Sequence, residues 1–353
     1  MEPSNRLYLF DLNLKSLEDL FAAWDEPVFR ARQLWHAVYV DLVPGFDAIS
    51  TFPKALRTRL GDSLDFSHLQ SLEQISSSDG ETVKTLFSLP DEKMIEAVMM
   101  HYDVRDTLCI SSQSGCAMGC VFCATGQMGF MRNLSSGEIV EQVIFYARVL
   151  REMGKRVTNV VVMGMGEPFH NYDAVMAAIE RLNDSEGMNL GARRFTISTV
   201  GLVPGIERFT RENSQVNLAV SLHAANDSLR SSMMPVDRKY PIKDLIAAIR
   251  EYSKTTNRRI TFEWALIQDV NDRESDALEL AGLIKGILCH VNVIPLNPTN
   301  NFSGRATTRE RALAFKKTLE SQGIPCTIRL RRGIDIQAGC GQLAYHATQQ
   351  GNP

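Results

Sequence analysis

The chain has 353 residues, 44% of them hydrophobic and 22% charged, which describes a globular α/β domain with room for a smaller companion. A net charge of −3 excludes a global cationic field, so affinity for nucleic acid must come from local patches. No apolar run approaches the about 20 residues that span a bilayer. The opening MEPSNRLYLFDLNLK lacks a signal peptide's apolar core. Seven cysteines, an odd number with several clustered, point to a reducing cytoplasm rather than a disulfide framework.

Residues 1–65 read as helical. Leu14, Leu17, Leu20 and Phe21 recur at helical spacing, as do Phe29, Gln33, Leu34, Ala37 and Val38. Pro27 and Pro44-Gly45 punctuate these helices. Arg30, Arg32, Arg57 and Arg59 leave a basic surface on this unit, which a solvated helix face also explains. A β extension over 66–106 follows. Two alternating runs flank Asp79-Gly80 as a hairpin, and KMIEAVMMHY is a further strand carrying Glu96. A lone Glu in a strand ordinarily faces solvent.

From 107 to 345 strands and helices alternate. Strands are expected at Asn159–Met163, Arg194–Ser198, Asn217–Leu222, Ile260–Leu266, Val291–Pro295 and Thr327–Leu330. Between them lie amphipathic stretches at Ser135–Met153, Tyr172–Asn183, Pro204–Arg211, Ile242–Tyr252, Glu274–Lys285 and Thr308–Gln322. This repetition predicts a parallel sheet with its site at the carboxyl ends of the strands. About six units are too few for a closed eight-stranded barrel, so the fold class is α/β with a partial (β/α)6-type barrel. Residues 346–353 read as a tail.

The most specific signal is CISSQSGCAMGCVFCATGQMGFMR. Cys116, Cys120 and Cys123 are spaced C-x3-C-x2-C and can reach one soft metal centre. They are one ligand short of an iron–sulfur cubane, which leaves an iron open to substrate. The spacing differs from the paired C-x2-C motifs of structural zinc. A zinc site borrowing a distant fourth ligand is the alternative. Polar residues then recur at successive strand ends: Gly164, Gly166 and Glu167 after VVVM, Ser198 after FTI, Ser221-Leu222-His223 after NLAV, and Asn297 after VIPL. Glycines allow close backbone approach there, and a carboxylate can receive a ligand's ammonium. Chance loop polarity explains any one of these and fits the set poorly.

Read together, CISSQ, GCAMGC, FCATG, MGF, RNL, MGMGEP, ISTVG, SLHA, PLNP and DIQAGCGQL resemble the RlmN/Cfr family of radical S-adenosylmethionine (SAM) RNA methyltransferases, from about Phe29 to Leu343. The wording CAMGCVFC and GQMGF is more similar to the RlmN branch, which methylates adenine C2, than to the Cfr branch, which methylates C8. The resemblance implies a radical SAM partial barrel with an N-terminal RNA-binding accessory domain. It implies Cys116, Cys120 and Cys123 as ligands of a [4Fe–4S] cluster, and Gly166, Glu167, Ser198, Ser221, Leu222, His223 and Asn297 as SAM contacts. It also implies Cys340 as the residue that becomes S-methylated, Cys109 as its partner in a transient disulfide, and Glu96 as a proton acceptor. The substrate it implies is 23S rRNA at the peptidyl-transferase centre, and tRNA beside the anticodon. The resemblance further implies that SAM is used twice per turnover, with a flavodoxin-like or other one-electron reductant as partner, and that the enzyme is a cytoplasmic monomer.

The chemistry explains that inventory. An adenine ring carbon is no nucleophile toward SAM's methyl group, so radical addition is the available route. Cys340 as thiolate can take a methyl group by displacement. The radical then generated from a second SAM activates that methyl group for addition to the base, and attack by Cys109 on Cys340 releases the product. Glu96 and Cys109 are both competent to take the ring proton. The Gly339-Cys340-Gly341 setting suggests a mobile, exposed loop, while Cys289 and Cys326 sit in apolar runs as core. An adenine in folded RNA must be unstacked to be reached, and Arg305, Arg329, Arg331 and Arg332 are candidate phosphate contacts. A radical activase or sulfur-inserting enzyme would need the cluster but not the Cys109/Cys340 pair. A metal–cysteine RNA-binding module would not need polar residues at successive strand ends.

Overall fold

The computed structural model describes residues 6–299, 301–329 and 331–344. The tail expected at 346–353, and Leu330 at the end of one predicted strand, lie outside the described residues. Ten strands form one sheet, in the spatial order Cys326–Ile328, Cys289–Pro295, Ile260–Leu266, Asn217–Ser221, Phe195–Thr199, Asn159–Val162, Arg105–Ile110, Met94–Tyr102, Thr82–Ser88 and Gln70–Ser76. The seven from Cys326–Ile328 to Arg105–Ile110 run parallel. The remaining three extend the sheet antiparallel, and the first two of them in sequence meet at the Asp79-Gly80 turn, where Gly80 takes φ +71°. The β extension and the barrel strands are thus hydrogen-bonded into a single sheet.

Helices Ser136–Glu152, Tyr172–Asn183, Val203–Glu212, Ile242–Thr256, Glu274–Ile284 and Arg309–Ser321 each link one parallel strand to the next. Their apolar faces cover the sheet, with Val140, Ile144, Leu150, Phe209, Ile249, Tyr252 and Phe315 wholly buried. Local chemistry fixes their ends. Ser135 and Glu138 form a capping box, Thr308 caps with its hydroxyl, and Asn213 and Asn257 stop two helices in the left-handed conformation. Two short helices, Ala124–Met128 and Asp227–Met233, were not expected. At five and seven residues they are too brief to show a 3.6-residue period.

The N-terminal unit is helical at Leu14–Ala23, Phe29–Tyr39 and Lys54–Ser63, and a parallel pairing of Leu7–Tyr8 with Leu64–Asp65 closes it. It is bolted to the barrel helices. Asp11 Oδ1 accepts from Gly137 N at 2.6 Å and Ser136 Oγ at 2.9 Å, and Arg181 Nη1 donates to Phe10 O at 2.8 Å. The arginines read as a basic surface are engaged locally. Arg32 pairs with Glu18, and Arg30, Arg57 and Arg59 donate to the carbonyls of Thr51, Asp47 and Trp24. Among the described residues no helix is long and apolar enough to cross a membrane.

Candidate active site

The inner face of the sheet opens into a cavity of about 160 Å³ at the carboxyl ends of the parallel strands. Cys120 and Cys123 form one wall, with Cys340 beside them. Gly166, Glu167, Ser198, Ser221, His223 and Asn297 supply the strand-end side. A smaller cavity of about 40 Å³ adjoins it, lined by Cys109, Cys340, Arg329, Arg331 and Arg332. Cys340 and Arg329 belong to both linings.

The cysteine loop follows strand Arg105–Ile110 and is folded back by the pairing of Gln113–Gly115 with Phe130–Asn133. Cys116 and Cys120 are buried and Cys123 is half-buried. Burial pushes the Cys116 thiol up to about 12 and raises Cys120 and Cys123 too, and each feels a neighbouring thiol of the loop or Cys340. Such a set holds its protons until a cation replaces them, which is the behaviour of a metal-ligating thiol group. Among the described residues no three His, Cys, Asp or Glu side chains converge on a single-ion site. A cubane asks for something wider, with each thiolate on a different iron, and the three-thiol loop beside an open cavity fits it.

Cys340 is exposed, as its glycine setting implies, yet the loop around it is held at several points. Asn297 Nδ2 donates to Cys340 O at 3.1 Å, Ala124 N to Gly341 O at 2.8 Å, and Gln342 Oε1 accepts from Gly339 N at 3.0 Å. Thr125 Oγ1 also reaches Leu343 O at 2.5 Å. A Cβ at Gly339 would sit 2.6 Å from Asn297 Nδ2 and 2.7 Å from Gln342 Oε1, so both amide ends would have to shift. Cys109 is buried in its strand, where burial first and Cys340 second push its thiol up to about 12, with the Arg329 charge opposing. Cys289 and Cys326 are buried in the core.

Glu167 is buried within the cavity lining. Its Oε1 accepts from Phe169 N at 2.9 Å and its Oε2 from Val200 N at 2.8 Å. Burial nevertheless pushes its carboxyl up to about 7. Gly166 ahead of it takes φ +102°, and a Cβ there would lie 2.5 Å from Gln113 Cβ. Gln113 Oε1 accepts from Glu167 N at 2.8 Å, fixing the turn. His223, at φ +59°, accepts from Ala265 N through Nδ1 at 2.9 Å. Burial lowers it to about 3, so the ring is neutral and Nε2 carries the proton as its one donor. Leu222 lies outside the cavity lining, wholly buried in the core.

Glu96 does not face solvent. It is 4% exposed, and Lys84 Nζ holds its Oε1 at 2.9 Å from the neighbouring strand. Its Oε2 has no hydrogen-bond partner among the described residues. Glu96 lines neither cavity, but register puts Val98 opposite both Lys84 and Cys109, so all these side chains share one sheet face. Of the arginines, Arg305 is exposed, Arg332 donates to His101 O at 2.9 Å, and Arg329 is turned into the cavities rather than outward.

Two site residues escaped the sequence reading. Arg230 is entirely buried; it pairs with Asp237 at 2.8 Å and donates to Val200 O at 2.6 Å, Leu222 O at 3.2 Å and Ser221 O at 3.4 Å. It thereby ties two strand ends of the cavity together, and nothing in SLRSSM sets it apart from a surface arginine. Glu263, in ITFEWAL, is the other. A lone carboxylate inside an apolar strand was the available signal.

The sequence pattern of the Radical SAM superfamily matches residues 110–281, and that of a ribosomal RNA large subunit methyltransferase N-terminal domain matches residues 7–65. A Chloroflexus aurantiacus protein named probable dual-specificity RNA methyltransferase RlmN is 51% identical over 348 residues, covering 95% of this chain and 92% of that one. Dual-specificity RNA methyltransferase RlmN 1 of Myxococcus xanthus is 45% identical over 335 residues, covering 95% and 93%. The crystal structure of a radical SAM methyltransferase from Sphaerobacter thermophilus superimposes with a TM-score of 0.94 at 52% identity, covering 96% of this chain and 99% of that one. Fold, cysteine loop and both matched regions agree, and the chain belongs to the RlmN family of radical SAM RNA methyltransferases.

Proposed function

We propose that this enzyme methylates C2 of an adenosine in 23S rRNA, at the peptidyl-transferase centre, and of the tRNA adenosine beside the anticodon, with Cys340 carrying the methyl group. The observation that carries the reading is the place of Cys340. It stands in one cavity wall with Cys120 and Cys123 and on the adjoining cavity with Cys109. The naming of relatives as dual-specificity RNA methyltransferases supports two RNA substrates. Cys116, Cys120 and Cys123 would hold the [4Fe–4S] cluster, and Gly166, Glu167, Ser198, Ser221, Leu222, His223 and Asn297 the SAM, which together supply a carbon radical able to take hydrogen from a methyl group.

The chain's own residues do the rest. Cys340, exposed on a loop pinned by Asn297 and Ala124, attacks the methyl carbon of one SAM through its sulfur, and the bond to the sulfonium breaks as S-adenosylhomocysteine leaves. After the base has joined that carbon, the adduct has to give up its ring proton to a general base and its unpaired electron, which the cluster that Cys116, Cys120 and Cys123 would hold could take back. The Cys109 sulfur then attacks Cys340. A sulfur–sulfur bond forms, the sulfur–carbon bond breaks, and the electron pair leaves with the base, which takes a proton to become the methyl product. Two electrons, delivered one at a time by a donor of flavodoxin type, and two protons then return the disulfide to two thiols. Burial keeps Cys109 protonated beforehand, so its thiol waits for a base. Glu96 keeps one carboxylate oxygen without a hydrogen-bond partner among the described residues, lies on the same sheet face and is our proposed acceptor of the ring proton.

Mass spectrometry of nucleosides from a deletion strain tests the reading. It is expected to show 2-methyladenosine missing from 23S rRNA and tRNA. Unchanged 2-methyladenosine in both RNAs, or loss of 8-methyladenosine instead, contradicts it.

A further inference from the structure

The parallel strands carry an interior line of polar groups that the family resemblance uses only in part. Register sets Ser221 beside Glu263, and Glu263 beside Asn292, on neighbouring strands. Ser198 Oγ lies 3.5 Å from Ser221 Oγ, which extends the line by one more strand. Residues paired directly across parallel strands point to the same face, so these side chains share the inner face. Glu263 is 5% exposed and contributes to the lining of the cavity that also holds Cys120, Cys123 and Cys340.

Its two oxygens are treated differently. Oε1 accepts from Asn292 Nδ2 at 3.0 Å. Oε2 is buried and has no hydrogen-bond partner among the described residues. An unsatisfied buried carboxylate oxygen is costly, and native structures keep one where a ligand supplies the missing donor. Burial pushes the Glu263 carboxyl up, and Arg329, in the same lining, opposes this without bonding it, so a further cation is not what the site lacks. It lacks neutral donors. The hydroxyls of a ribose are such donors, and a carboxylate reading a ribose hydroxyl is an established pairing in nucleotide sites.

We infer that Glu263 is a further binding residue for SAM, accepting a hydrogen bond from a ribose hydroxyl at the end of the line begun by Ser198 and Ser221. The inference rests on the SAM site proposed above. It divides the ligand between two carboxylates: Glu167 serves the amino-acid end, and Glu263 serves the nucleoside end.

Equilibrium dialysis of the anaerobically reconstituted holoenzyme tests this with two probes, SAM and 5′-methylthioadenosine, which keeps the ribose and adenine but lacks the amino acid. Glu263→Ala is expected to weaken both about 10- to 100-fold, the range for a hydrogen bond to a charged acceptor, and Glu263→Gln less, because its carbonyl still accepts. Iron content and Tm are expected to hold in Glu263→Gln, since it removes a buried charge; that variant carries the test if the alanine protein does not fold. Unchanged affinity for both probes overturns the inference alone. Weakening for SAM with 5′-methylthioadenosine unchanged overturns the ribose assignment. A wild-type holoenzyme that binds neither probe overturns the SAM site itself, and the inference with it.

Discussion

At Glu167 two forces oppose each other. Two backbone amides favour the carboxylate, while complete burial favours the acid, and burial prevails, leaving the group titrating at about 7. The folded state therefore binds the proton more tightly than the unfolded chain, whose carboxyl titrates near the ordinary value of 4.5. The folded protein holds more protons between these values, so stability contributed by Glu167 falls as pH rises from about 4.5 through about 7. Below that window the residue costs nothing, and above it the cost is complete, at most about 3 kcal/mol for a shift of this size. Chemical denaturation of ligand-free wild type and Glu167→Gln across the window should show the difference between them growing with pH in favour of the variant. A constant difference would show that Glu167 does not titrate there. Bound SAM, if its ammonium meets this carboxylate, should flatten the wild-type slope by holding the group ionised.

At the scale of elements, the strand ends are held together from behind by Arg230 and Asp237. Deleting one partner of a buried pair strands the other charge, a loss of about 3–5 kcal/mol. Arg230→Met should therefore lower Tm and weaken SAM binding together, because Val200, Leu222 and Ser221 lose their common donor and Asp237 is left unpaired. Replacing both partners by apolar residues of similar volume should restore much of the Tm but not the SAM affinity. Recovery of both by the double variant would reduce Arg230 to a packing role. What could be read from the sequence divides along the same line. Gly166, Glu167, Ser198, Ser221, His223 and Asn297 were legible because each follows an apolar run where β-α alternation puts a strand's carboxyl end, and all six line one cavity. Arg230 was not legible, since its partners are carbonyls and a carboxylate that meet it only after folding. For Glu96 the strand pattern alone favours a solvent-facing side chain, because one strand's alternation does not reveal that Lys84 of the next strand pairs with it. The Cys340 loop was expected to be mobile, and the bonds from Asn297 and Ala124 that pin it are long-range contacts no local pattern announces.

Across the whole molecule, one sheet connects every part of the mechanism. The strand Arg105–Ile110 supplies Cys109 from within and delivers the cysteine loop at its end, while residues 331–344 cross back to bring Cys340 between them. The helical N-terminal unit docks on helix Ser136–Glu152 through Asp11, and Arg30, Arg57 and Arg59 each donate to a local carbonyl. The central claim is that Cys340 carries the one-carbon unit to the base and Cys109 only releases it. Residues acting in series make that claim directly measurable. Labelled RNA incubated with reconstituted enzyme, SAM and reductant is resolved on a denaturing gel. Cys109→Ala should accumulate a covalent protein–RNA complex, and Cys340→Ala and the double variant should form none. Normal turnover by Cys109→Ala with no trapped complex, or a complex formed without Cys340, would contradict the account.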